Sequence, residues 1–134
     1  MILRVKLVAL LVFFLCAGGA QASTGKTILE RCTGIHGEKA QINCVGFIFG
    51  MMDGILVGAV HATGHHTRPD SHDDLKRSVE DALGFCLRGP STKADMFRAV
   101  MSFLEESPSS LDEPISDLVL GALQRKYPCT NKSN

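Results

Sequence analysis

Cys44-Val45-Gly46-Phe47-Ile48-Phe49-Gly50-Met51-Met52-Asp53-Gly54-Ile55-Leu56-Val57-Gly58 is the stretch that decides the fold. It has no proline, one charge, and apolar residues at helical rather than alternating spacing, so it predicts one long helix from Glu38 to about His61. Glycine recurs at every fourth position: Gly46, Gly50, Gly54 and Gly58. Each costs roughly 1 kcal/mol relative to alanine inside a helix. Four on one stripe predict a close-packing face, met by another helix of the same domain or by a second copy in a dimer. The same spacing pairs helices in bilayers, and residues 42–60 are nearly long enough to span one. Asp53 opposes that reading, because a carboxylate at a bilayer centre costs about 3 kcal/mol on insertion scales. The helix is therefore expected to be packed in a domain outside the membrane, with Asp53 on a wet edge or paired with an arginine.

The sequence on either side is also helical. Thr27 to Cys32 reads as a short opening helix ended by Thr33-Gly34. Ala62 to Ser71 reads as a loop, on the evidence of Gly64, Pro69 and its polar residues. Asp73 to Leu83 places Leu75, Val79, Ala82 and Leu83 on one face, with Gly84 as a stop. Ser91 or Thr92 caps the next helix, whose stripe is Met96, Phe97, Val100, Phe103 and Leu104. Ser107-Pro108-Ser109-Ser110 breaks it. A last helix follows, with Asp112, Glu113 and Pro114 in its first turn, then Ile115, Leu118, Val119, Ala122 and Leu123, and finally Arg125 and Lys126 at its negative end. No strand pattern of useful length appears. The fold class is all-α, a small bundle of four to five helices.

Cys32, Cys44, Cys86 and Cys129 follow the leader described below, and an even number in an exported chain predicts two disulfides. The last two helices, joined by a short turn, should lie antiparallel. Cys86 precedes the first of them and Cys129 follows the second, so the hairpin brings the two together. The same logic pairs Cys32 with Cys44. Loop entropy assigns about 3 kcal/mol to the short ring and about 4 kcal/mol to the long one. There is no CxxC redox motif.

Residues 1–22 have the grammar of a secretory signal peptide: Arg4 and Lys6, the apolar run Leu7 to Leu15, then Ala20-Gln21-Ala22. Cleavage is expected between Ala22 and Ser23, giving a periplasmic domain of residues 23–134 that stays off the membrane once cut. A lipoprotein would use Cys16, but Phe13-Phe14-Leu15 lacks the small residue needed before it. The full chain carries 14 basic and 14 acidic residues. Losing Arg4 and Lys6 leaves acid in slight excess and no basic tract, which argues against nucleic acid as a partner.

Chemistry is sparse. There is no GxSxG elbow and no phosphate loop, and every cysteine after the leader has a structural use. The chain is not expected to be an enzyme or to need a cofactor. His61, His65, His66 and His72, beside Asp70, Asp73 and Asp74, are weak candidates for a metal site. Without an HExxH-type spacing they read first as solvated residues.

The order of the motifs carries a resemblance. Cys44-x-Gly46-Phe47-Ile48-x-Gly50-Met51-x-Asp53-Gly54 is followed by Phe85-Cys86-Leu87 and by Phe103-Leu104-Glu105-Glu106-Ser107-Pro108. Leu118-Val119-Leu120-Gly121-Ala122-Leu123 and Tyr127-Pro128-Cys129 then close the series. From Cys32 to Cys129 the chain resembles the Rap/Tai family of immunity proteins, which protect bacteria against type VI secretion amidases that cut peptidoglycan. The proline of Cys86-Leu87-Arg88-Gly89-Pro90 lies further from its cysteine than is usual in that family, and the histidine-bearing segment is longer. The resemblance implies a helical periplasmic domain, often a homodimer, that binds a cell-wall amidase and obstructs its cleft. A protruding loop suits that task, which makes His65, His66, Arg68 and Asp70 the expected contact residues. The alternative from another class is a periplasmic metal-binding or stress-related structural protein that uses residues 61–72.

Overall fold

The computed structural model describes residues 23–66, 71–86 and 91–129; the signal-peptide expectation for residues 1–22 lies outside them. Five α-helices make up the described residues: α1 (Gly25–Cys32), α2 (Glu38–His66), α3 (His72–Leu83), α4 (Lys93–Glu106) and α5 (Ile115–Lys126). A 3-10 turn, Pro108–Ser110, links the last two. The all-α expectation holds.

Local chemistry sets most of the helix boundaries. The Thr24, Ser71 and Thr92 side chains accept the backbone N–H groups of Thr27, Asp74 and Asp95, each capping its helix. At α4 the cap is reciprocal, because Thr92 N–H donates to Asp95 Oδ2 at 2.9 Å. α3 ends at Gly84, whose φ of 71° is left-handed and suits glycine.

Three expectations move. α1 begins at Gly25, one half-turn earlier than Thr27, because Thr24 is the cap. Asp112 and Glu113 precede α5 instead of sitting in its first turn, and Pro114 is its N-cap. The largest change is in α2, which runs to His66. Gly64 weakens a helix but keeps its N–H, so it does not force an end, and the Thr63 hydroxyl donates back to Ala59 O at 2.8 Å. Ala62 to His66 are therefore helix, not loop.

The core gathers where α1, α2, α4 and α5 meet. Ile28, Ile48, Met52, Val100, Leu104, Val119 and Leu123 are essentially sealed from solvent, and Phe85 joins them from the segment after α3. Phe49 and Phe97 meet edge-to-face with centroids 6.0 Å apart, joining α2 to α4. Leu75 and Val79 of α3 are half-buried, whereas Ala82 is exposed.

Backbone hydrogen bonds stitch the start of the domain to the turn before α5. Gly25 N–H reaches Glu113 O, Lys26 N–H reaches Leu111 O, and Ile115 N–H reaches Ser23 O at 2.9 Å. Gly25 is buried there, and a Cβ on it would run into Leu118. Both expected disulfides are present: Cys32–Cys44 and Cys86–Cys129 have Cα atoms 5.4 and 4.9 Å apart. Beside the second, Cys86 N–H donates to Tyr127 O, and Gln124 Nε2 donates to Leu83 O, each at 2.8 Å. The α4–α5 hairpin is thus closed covalently at its open end.

Candidate partner-binding surface

α2 touches all four other helices, yet it is too long for them to cover. Its inner face buries Cys44, Ile48 and Met52, and half-buries Ile55, Leu56 and Ala59. Its outer face presents Asn43, Gly46, Phe47, Gly50, Gly54, Val57, Gly58, His61 and Gly64 to solvent. The spacing 43, 47, 50, 54, 57, 61 alternates fours and threes, so these residues form one stripe about 27 Å long. No acidic or basic side chain other than His61 stands on it. Phe47 is 42% exposed and Val57 is 55% exposed on this stripe, and Ile42 and Val60 lie open beside it on the same helix. By length and composition, Glu38–Gly64 is also apolar enough to cross a membrane, with only 22% of its most apolar window buried.

The glycine stripe is expected to pack closely, within the domain or between two copies. A Cβ built on Gly46, Gly50, Gly54 or Gly58 meets nothing within 4 Å. No other helix among the described residues approaches there. A face of this shape is a shallow trough with an aromatic knob, suited to a second helix at short interaxial distance. It contains no nucleophile and no acid–base pair, so what it can do is dock.

Asp53 lies at the edge of this face. Its carboxylate meets Lys93 Nζ at 2.6 Å, with both side chains half exposed. The wet edge was expected, but the partner is a lysine from the start of α4, not an arginine. Both charges remain in solvent, so the pair contributes little to stability.

A second concave surface, about 510 Å³, runs between α4 and α5. Asp95 pairs with Arg98 at one end and Glu106 with Arg125 at the other. Ala99 and Ala122 form part of its lining, and the Arg125 guanidinium stacks over Phe103 at 5.8 Å. The Asp95 carboxyl is pulled down from 3.8 to about 2, first by the Thr92 hydroxyl, then by the Thr92 N–H and by Arg98. Partial burial raises the Tyr127 phenol.

The histidine segment is divided by the structure. His61 is exposed on α2, His72 is the first residue of α3, and His65 and His66 are the last turn of α2. Arg68 and Asp70 lie outside the described residues. Among the described residues no group of three or more His, Cys, Asp or Glu is placed to hold a metal ion. The exposure of Phe47, Val57 and Val60 is what the sequence did not single out. An apolar run in a helix gives no sign of which members face outward.

No curated protein and no solved structure matches the chain. The family model of the Rap1a immunity proteins matches residues 24–129, from the Thr24 cap of α1 to the last cysteine. That span takes in all five helices, both disulfides and the uncovered face of α2, and the chain belongs to the Rap1a immunity protein family.

Proposed function

We propose that the chain is exported, cut after Ala22, and acts in the periplasm as an immunity protein that binds and blocks a peptidoglycan amidase delivered by type VI secretion. The observation that carries this reading is the match of residues 24–129 to the Rap1a immunity proteins, and the outer face of α2 supplies a surface for assembly. A domain that uses two disulfides and a sealed core still leaves an uncharged apolar stripe open to water. Single exposed apolar residues need no explanation, but a continuous stripe of this kind marks an interaction surface. The absence of charge makes it compatible with a copy of itself, and the glycines allow close approach, so it is assigned to a homodimer. The amidase contact is assigned to His65, His66, Arg68 and Asp70, where α2 gives way to α3. Such a segment, carried on a rigid helix pair, can reach a recessed catalytic cleft.

The test is periplasmic expression of candidate type VI secretion peptidoglycan amidases, each with and without the chain. Lysis by one of them should be prevented when the chain is present in the periplasm. The His65→Ala, His66→Ala, Arg68→Ala triple variant should lose at least about 2 kcal/mol of binding. Lysis that continues in every case with the folded protein present would overturn the reading. Protection that survives the triple variant at full affinity would move the contact to the helix faces.

A further inference from the structure

The Cys32–Cys44 disulfide closes a ring that carries the two most exposed large apolar side chains of the described residues: Ile35, 74% exposed, and Ile42, 63% exposed. Both cysteines are buried in the core, so a covalent frame holds these isoleucines out in water. Beside Ile42 a groove of about 440 Å³ opens between the start of α2 and α4. Ile42, Val45, Phe97 and Met101 give it apolar walls. Glu38 and Glu105 also line it, and no basic side chain does. Glu38 stands in the first turn of α2, where the helix dipole favours a carboxylate. Glu105 stands in the last turn of α4, at the negative end, where a carboxylate is disfavoured and no basic residue of that turn offsets it. Its neighbour Glu106 pairs with Arg125, whereas neither Glu38 nor Glu105 has an ion pair among the described residues.

Charge decides what fits there. A second copy docking about a two-fold axis would set this acidic groove against itself, and like charges across an interface oppose binding. A head-to-tail contact would avoid the clash but would not close as a dimer. The uncharged stripe of α2 suits a copy of the chain, whereas this groove suits a different protein of opposite charge. The apolar surface also runs past the groove to Ile35, further than a small ligand would cover. We propose that the groove receives a segment of the effector protein that the chain blocks, with apolar side chains against Ile35, Ile42 and Met101 and an arginine or lysine on Glu38 and Glu105. This rests on the immunity reading above and adds to it a contact at the other end of α2 from His65 and His66.

The experiment is an amide NMR titration of the mature protein with the peptide acetyl-Arg-Leu-Phe-Arg-amide. Saturable shifts are expected at Ile35, Ile42, Phe97 and Met101. Acetyl-Glu-Leu-Phe-Glu-amide keeps the apolar pair with reversed charge and should bind at least about tenfold more weakly. The Glu38→Gln, Glu105→Gln double variant changes two exposed side chains without changing their shape, and should bind the basic peptide about fivefold more weakly. No saturable shift, shifts confined to the glycine stripe of α2, equal binding of the two peptides, or full affinity in the double variant would each overturn the proposal. None of these results touches the immunity reading. The double variant should also lose about fivefold in affinity for an amidase that the wild-type chain neutralises. Unchanged affinity there would overturn the effector as occupant. If the chain neutralises no amidase, the immunity reading fails and the effector fails with it as occupant, while the peptide titration still decides the chemistry of the groove.

Discussion

Replacing Gly50 and Gly54 together by alanine separates two roles of a helical glycine. In a single copy, a Cβ at either position meets nothing within 4 Å, so the only effect is on the helix itself. Each substitution then stabilises the isolated domain by about 1 kcal/mol. The two methyls share no packing neighbour, so the effects add to about 2 kcal/mol, and Tm rises by roughly 8 °C. In a dimer that pairs α2 faces the sign reverses. Two-fold symmetry repeats both methyls on the partner, and overpacking of this kind costs about 1–3 kcal/mol. Association should therefore weaken at least about tenfold. Thermal unfolding at low protein concentration reads the first effect, and sedimentation equilibrium over a concentration series reads the second. Both are needed because association itself raises Tm. A destabilised monomer would mean that the stripe is packed inside the domain after all. An unchanged association constant would mean that a second copy is not what covers it.

Two further outcomes follow from the covalent frame and the α4 cap. Removing Cys86–Cys129, which closes 43 residues, should cost about 4 kcal/mol in urea unfolding, against about 3 kcal/mol for Cys32–Cys44, which closes 12; the reverse order would refute the loop-entropy account. Asp95 has its carboxyl lowered from 3.8 to about 2, chiefly by the Thr92 hydroxyl, so the stability it contributes is present above pH 3.8 and is lost as pH falls toward 2. Asp95→Asn should flatten acid unfolding across that window, and superimposable acid limbs in the two proteins would contradict it.

Most of the frame was legible because its signals are local. Thr92 and Asp95 are spaced as a cap, Gly84 follows an amphipathic run, and the cysteines flank hairpins, so pairing followed from helix order alone. What failed was less local. The end of α2 was set too early because Gly64 and the histidines look like loop residues, whereas a glycine inside an established helix costs only about 1 kcal/mol. The direction of the glycine stripe could not be read, because α2 is apolar on nearly every side and its periodicity does not distinguish the face against α4 from the face in water. Lys93 as the partner of Asp53 is a pairing across 40 residues, set by how α4 crosses α2.

The disulfide connectivity also bears on the order of assembly. A chain emerges from its amino end, so Cys32 and Cys44 appear first and together, and Cys86 and Cys129 appear later. Among the four disulfide-bonded cysteines, pairing is consecutive: Cys32 with Cys44, then Cys86 with Cys129. With Cys16 removed in the leader, as proposed above, an oxidant that joins cysteines as they emerge makes only correct bonds, and no reshuffling step is needed. The second bond must wait for Cys129, and the Ser23–Ile115 stitch must likewise wait for the start of α5. The first residues of the domain thus find their backbone partners late, after the early ring has closed behind them.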